Sequence, residues 1–436
     1  MARAPTARSV AAGVIARVLD DDAFAAAALD VELDRAIQLE PRDRALATEL
    51  VYGTLRLLPW LEERLDRHAK KGMKKQATLV RAHLDVAAYQ LLVLSRVPSF
   101  AAVNEAVSAV RALRGPQIGG FANAVLRKVA SESKPTEEEL ARAALSSMEP
   151  ALREAIVGAI GEAEALALVG GSEPPPLGIR VERASDRDTW LERLSAARPE
   201  ATFERGRLSP HAIRARGAGR VIELPGYDEG AWSPQEEGSQ VIALALGAKE
   251  TDVVLDACAG RGNKTGLLAR ISATVDAADL DPRKLEQLES ERSRIGVGPR
   301  ATHAVDWSRG VGNVKETYDR ILVDAPCSGT GTVRRRPEIL LRRRATDLPR
   351  IADLQRAILE RVATLVKPGG RVIYAVCSVL REEAEDVIAH APSFGLTPSP
   401  FDASLGFVDP EATSFRILPG AHGTDGYFVA SFQRTR

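Results

Sequence analysis

The side chains best suited to chemistry in this 436-residue chain lie between Val253 and Ser378. Three segments there run from apolar, β-branched residues into a short polar turn. The first ends in Asp256-Ala257-Cys258-Ala259-Gly260-Arg261-Gly262-Asn263-Lys264-Thr265, the second in Asp324-Ala325-Pro326-Cys327-Ser328-Gly329-Thr330-Gly331, and the third in Ala375-Val376-Cys377-Ser378. All three cysteines of the protein fall in them. A single cysteine is most often an inert, buried residue. Two thiols at adjacent strand ends, with Asp324 beside one of them, suit a particular reaction. Carbon 5 of a pyrimidine is a poor nucleophile. A thiolate adding to carbon 6 makes carbon 5 enamine-like and able to attack an electrophilic methyl. A carboxylic acid near ring nitrogen 3 stabilises the adduct, and a base must remove the carbon-5 proton before the thiolate leaves. A free thiol has a pKa of about 8.5, so the nucleophile needs local activation.

Such a site needs a scaffold that brings the three turns together. Apolar runs of this length bounded by Gly or Pro predict strands buried on both faces of a parallel sheet, with ligands outside their carboxyl ends. The first turn, of small residues between a strand and a helix, lets backbone N–H groups approach a nucleotide-type ligand. Asp279, closing a strand over Ala273 to Ala278, is placed to accept ribose hydroxyls. Asp306, after His303-Ala304-Val305, either reaches an adenine amino group or caps a helix. The βα unit and Asp279 alone also fit a nicotinamide-dependent oxidoreductase, which would leave Cys327 and Cys377 unexplained. Arg334, Arg335 and Arg336, with Arg342, Arg343, Arg344 and Arg350, follow the Pro326-Cys327 loop. They read either as an exposed helix and loop or as phosphate contacts at the mouth of the crevice.

Residues 1–134 read as an all-helical bundle, with apolar positions at helical spacing in Val10-Val14-Ile15-Val18 and Leu46-Leu50-Val51-Leu55. Breakers fall at Pro41, Pro59, Gly72, Pro98 and Gly115-Pro116. Lys70, Lys71, Lys74 and Lys75 form a candidate basic cluster. Residues 135–175 read as a helical connector opened by a Thr136/Glu139 capping box. Residues 176–235 read as a small α+β unit, with strands at Leu177–Val181, Ala212–Ala215 and Val221–Leu224 and a helix over Trp190–Ala197. Residues 236–436 carry the chemistry. Lys+Arg and Asp+Glu both number 59, so any nucleic-acid surface must be local. An odd, small number of cysteines argues against a disulfide framework and for a reduced, cytoplasmic setting. No apolar run is long enough to predict a membrane span.

The residues also carry a family resemblance. Asp-Ala-Cys-Ala (256–259) with Lys264-Thr265, Asp-Ala-Pro-Cys-Ser-Gly-Thr-Gly (324–331), Arg-Arg-Arg-Pro-Glu-Ile (334–339) and Tyr-Ala-Val-Cys-Ser-Val-Leu (374–380) resemble the Sun/Nop family of RNA cytosine-5 methyltransferases. Leu418-Pro419-Gly420 and Asp425-Gly426-Tyr427-Phe428 resemble its last motif. The helical part, with Phe121-Ala122-Asn123-Ala124-Val125-Leu126-Arg127, resembles a NusB-like RNA-binding domain. The resemblance implies a Rossmann-like α/β catalytic domain, S-adenosylmethionine as methyl donor and no metal. By motif position it implies that Cys258, Ala259, Gly260, Arg261, Gly262, Asn263, Lys264, Asp279, Asp306 and Asp324 bind the donor. It also implies that Cys377 attacks carbon 6 and that Cys327 assists adduct breakdown. DNA cytosine-5 enzymes instead use the Cys of a Pro-Cys motif as nucleophile, and the presence of Cys377 favours the RNA type. Arg261 and Asn263 stand where the family has Pro and Gly, and Val376 where it has Thr. The expected substrate is a cytosine of 16S ribosomal RNA, with the assembling small subunit as a further expected partner and a monomeric protein. The alternatives are a transfer-RNA cytosine-5 methyltransferase and a non-catalytic RNA-binding assembly factor on a degenerate methyltransferase fold.

Overall fold

The computed structural model describes residues 4–69 and 72–435. They form two compact units, and the chain visits each more than once. The first comprises residues up to Val157 with Ala165–Pro175 and Val333–Arg344, the second Gly158–Glu164, Pro176–Thr332 and Ala345–Arg436.

The first unit is helical. Thr6 and Ser9 form a capping box that starts the helix Ala7–Asp20, and Thr136 and Glu139 form the one expected for Glu137–Ser146. The apolar stripes of Ala7–Asp20, Pro41–His68, Thr78–Leu92 and Ser99–Val129 supply its buried Val14, Ile15, Leu50, Leu55, Leu61, Leu84, Val110 and Leu126. Two expected breakers do not interrupt the chain. Pro59 lies within Pro41–His68 with its own ring on an exposed side, so it meets no packed neighbour there. Gly115 only kinks Ser99–Val129, because its φ of 83° is open to glycine. Of the lysine cluster, Lys70 and Lys71 lie outside the described residues, while Lys74 and Lys75 are exposed in a short 3₁₀ turn. The segment Val333–Arg344 is part of this unit. Arg342 donates to the carbonyls of Val18 (2.6 Å), Ala23 (2.7 Å) and Asp22 (3.0 Å) at the end of the first helix, as cations do at helix C-termini. Arg56 donates to the carbonyls of Gly171 (2.8 Å) and Arg334 (3.0 Å). No helix among the described residues is long and apolar enough to cross a membrane.

The second unit has two sheets. The smaller contains β1 (Leu177–Val181), β2 (Thr202–Arg205), β3 (Ala212–Arg216) and β4 (Trp232–Pro234), in the order β2-β3-β1-β4. Val221–Glu223, expected as a strand, is a 3₁₀ turn whose residues are not buried; a short β-branched run forms a strand only where a partner and a core await it. The larger sheet contains β5 (Val253–Asp256), β6 (Thr274–Asp279), β7 (Ala301–Ala304), β8 (Tyr318–Asp324), β9 (Val366–Val376), β10 (Leu396–Pro398), β11 (Ser414–Ile417) and β12 (Tyr427–Arg434). Its order is β10-β12-β9-β8-β5-β6-β7, with β11 on β12. Strands β7, β6, β5, β8 and β9 are parallel, and β12 is antiparallel to β9. Ile321 and Val323 enter one core and Leu322 the other, so both faces are buried, as the apolar runs imply. The chain leaves β5 toward β7 and then crosses to β8. The order therefore reverses between β5 and β8, and a crevice opens at their carboxyl ends.

Candidate active site

Each chemical segment ends at that crevice. After β5 the chain turns through Gly260 (φ 57°) and Gly262 (φ 86°) into the helix Asn263–Ile271. A Cβ at Gly262 would come within 2.5 Å of Leu288 Cγ, whereas nothing lies within 4 Å of one at Gly260. The space over Gly260 is thus open for a ligand. Arg261 and Asn263 are exposed and do not have the left-handed backbone. Both positions with the left-handed backbone, 260 and 262, are glycine in this chain, so Arg261 and Asn263 put no strain on the turn. Asp279, at the end of β6, accepts from Gly260 N (2.9 Å) and Asp281 N (2.9 Å). Leu280 beside it is 66 % exposed. Asp306 bonds locally to the N–H (3.1 Å) and hydroxyl (2.5 Å) of Ser308 and pairs with Arg309 (3.1 Å). It caps a turn rather than a helix.

Lys264 joins the first turn to the second. Its ammonium donates to Asp324 Oδ2 at 2.6 Å. Burial pulls the Lys264 pKa down, but the charge and hydrogen bond of Asp324, with Asp256 and Cys377, more than offset this and leave it raised. Asp256 is buried beneath them. Thr265 Oγ1 donates to its Oδ2 at 2.7 Å, while Oδ1 has no hydrogen-bond partner. Burial pushes this carboxyl up to about 6. Burial, followed by the charges of Asp256, Asp324 and Asp279, also raises the Cys258 thiol well above its usual range. Cys258 is therefore held neutral and unreactive.

The second and third turns bring two sulfurs together: Cys327 Sγ lies 3.2 Å from Cys377 Sγ. The loops are stitched by Gly331 N to Cys377 O (3.0 Å) and Ala325 N to Ala375 O (2.9 Å). The hydrogen bond with Cys377, then burial, raises the Cys327 thiol well above its ordinary pKa, so Cys327 stays a thiol. One set of contacts thus runs from Asp279 to the glycine turn, a second joins Lys264 to Asp324, and a third joins the two cysteines. Asp306 is not linked to any of them. Arg334 donates to Glu173 O (3.1 Å), and Arg336, exposed, lies over the Phe24 ring (5.7 Å). These bonds fall within the first unit.

Sequence reasoning missed several residues. Arg180 on β1 is buried and donates to Gln235, to Glu182 (2.6 Å) and to the carbonyl of Asn263 at the head of the helix that follows the glycine turn. Glu383, in a run of charges that reads as solvated, lies behind both cysteine loops. Leu280 gave no signal beyond its place after Asp279.

Sheet order, glycine turn and paired thiols define a Rossmann-like methyltransferase domain joined to a helical unit. Residues 243–433 match the family model described as 16S rRNA methyltransferase RsmB/F, and residues 5–131 match the NusB family. The chain is 33% identical over 434 residues to ribosomal RNA small subunit methyltransferase B of Vibrio vulnificus, covering 97% of this chain and 98% of that one. It is 33% identical over 431 residues to the protein of that name from Xylella fastidiosa, with coverage of 97% and 98%. The crystal structure of PH0851 superposes with a TM-score of 0.78 at 22% identity, covering 100% of both chains. A methyltransferase homolog protein from Pyrococcus horikoshii superposes at 0.54 and 24% identity, covering 69% of this chain and 100% of its own. The chain belongs to the ribosomal RNA small subunit methyltransferase B family.

Proposed function

We propose that this protein methylates carbon 5 of a cytosine in 16S ribosomal RNA, with S-adenosylmethionine as donor, through a covalent adduct between Cys377 and carbon 6. The 3.2 Å approach of Cys327 and Cys377 carries this reading, because a single nucleophile would not need a second thiol at its side. The name shared by the relatives supports the RNA substrate.

The open space over Gly260, the glycine turn and the carboxylate of Asp279 fit the donor. When bound, S-adenosylmethionine supplies an electrophilic methyl on a sulfonium sulfur. Residues 258–264 would hold it through their backbone, Asp279 through ribose hydroxyls and Asp306 through the adenine amino group. Exposed Leu280 would cover an adenine face. Cys377 adds to carbon 6, and the nearby Lys264 ammonium attracts its negative sulfur. Asp324, tethered by Lys264, faces the pyrimidine ring. After methylation, water in the open crevice takes the carbon-5 proton, and the electrons of that bond restore the carbon 5–carbon 6 double bond and expel Cys377 as a thiolate. Cys327, held as a thiol, donates to that departing sulfur. Arg334, Arg335 and Arg336 are proposed phosphate contacts, and Arg336 is the exposed one.

Transfer of a labelled methyl group to a 16S transcript tests the activity, and bisulfite mapping locates the product. Cys377→Ala should abolish turnover. Cys327→Ala should accumulate a protein–RNA adduct that migrates slowly on a denaturing gel. Normal turnover by the first variant, or no adduct from the second, overturns the mechanism.

A further inference from the structure

Behind the two sulfurs lies a carboxylate that the reaction does not use. Glu383 is 0 % exposed. Its Oε1 accepts from the Ser328 backbone N–H (2.7 Å) and from Gln355 Nε2 (3.1 Å). Its Oε2 accepts from the hydroxyls of Ser328 (2.5 Å) and Ser378 (2.5 Å). Ser328 follows Cys327 and Ser378 follows Cys377. The same Gln355 amide donates to Pro326 O (2.9 Å), the residue before Cys327, and Tyr374 OH donates to the Glu383 carbonyl (2.7 Å). Thr330 completes the set, with its hydroxyl 3.0 Å from that of Ser378. The carboxylate is therefore engaged by donors from both cysteine loops, Oε2 by both and Oε1 by the Cys327 loop and Gln355.

Burying a carboxylate is costly unless donors surround it, and removing the carboxylate strands those donors. Apolar packing alone could have joined these loops without that cost. A carboxylate adds direction, because charge-assisted bonds are short and fix the geometry of what they hold. We infer that Glu383 is a positioning residue. By clamping Ser328 and Ser378, it sets the separation of Cys327 and Cys377, and so governs resolution of the covalent adduct more than its formation. Formation needs only Cys377, whereas resolution needs Cys327 beside it. This rests on the reading above for its consequence in the reaction, but not for its consequence for the sulfur spacing.

Two readouts separate the two. The first needs no RNA. Diamide takes two electrons and two protons from a thiol pair close enough to join, leaving a disulfide and the reduced hydrazine. In native protein, peptide mass spectrometry follows formation of the Cys327–Cys377 disulfide. Glu383→Gln, which keeps the side-chain shape, should slow it by up to about 100-fold, as a misplacement of about 1 Å can do. Ser378→Ala, which removes one leg of the clamp, should slow it less. Calorimetric binding of S-adenosylmethionine should stay close to wild type, while the melting temperature falls by a few degrees as the stranded donors cost stability. The second readout is single-turnover methylation, in which Glu383→Gln should form adduct and release it slowly. Wild-type rates of crosslinking and release in both variants overturn the proposal. So does parallel loss of donor binding and crosslinking, which would make Glu383 a general structural residue. If crosslinking slows as expected while the wild-type protein methylates no RNA, the positioning role stands and the proposed function falls.

Discussion

Asp256 shows how the fold bears on single residues. Its carboxyl is buried, half-satisfied by Thr265, and pushed up to about 6 by burial. The native state therefore binds a proton that the unfolded chain releases nearer pH 4. The sign follows: this group lowers stability as pH rises from about 4 to about 6, and the effect is constant above that. Asp256→Asn keeps an acceptor for Thr265 and removes the titration. Its stability relative to wild type should rise across that window by up to roughly 3 kcal/mol, read from urea unfolding at stepped pH. Gly262→Ala should cost about 2 kcal/mol and weaken donor binding, through its left-handed backbone and the Leu288 clash. At this scale the cysteines and Asp324 were legible, because reactive side chains at strand ends stand out from apolar runs. Glu383 was not, since next to Glu382 it reads as an exposed charge and only the fold turns it inward.

Among the elements, β5, β6, β8 and β9 were legible from their buried, β-branched runs, whereas β10, β11, β12, β4 and the turn at Val221 were not. Short segments take their state from neighbours rather than from composition. The same holds for Pro59, which the helix Pro41–His68 accommodates although proline breaks a helix on composition alone. One element acts on another through Arg180. From β1 it holds the carbonyl of Asn263 and pairs with Glu182, which also binds Arg270 at 3.1 Å. Arg180→Ala leaves Glu182 buried with one partner fewer. It should cost about 3 kcal/mol in thermal or urea unfolding and lower S-adenosylmethionine affinity about tenfold in calorimetry, since about 1.4 kcal/mol corresponds to that factor.

For the molecule as a whole, equal numbers of 59 basic and 59 acidic residues mean that RNA attraction must come from few, local charges. Transcript binding should weaken as salt rises, and Arg336→Ala should lower the slope of log affinity against log salt by about 1, in filter-binding titrations. An unchanged slope would remove Arg336 from the phosphate contacts. The broad division into a helical part and an α/β part was legible from composition and period. The membership of Val333–Arg344 was not, because sequence order suggested that it stays with the loop of Cys327.

That interleaving has a practical consequence. Ile339 and Leu340 are buried within the helical unit although they are encoded between β8 and β9. No single cut yields two self-sufficient fragments: a piece starting near residue 176 would carry a sticky, homeless helix, and its counterpart would lack a plug. Recombinant halves should aggregate when made separately and regain solubility when co-expressed.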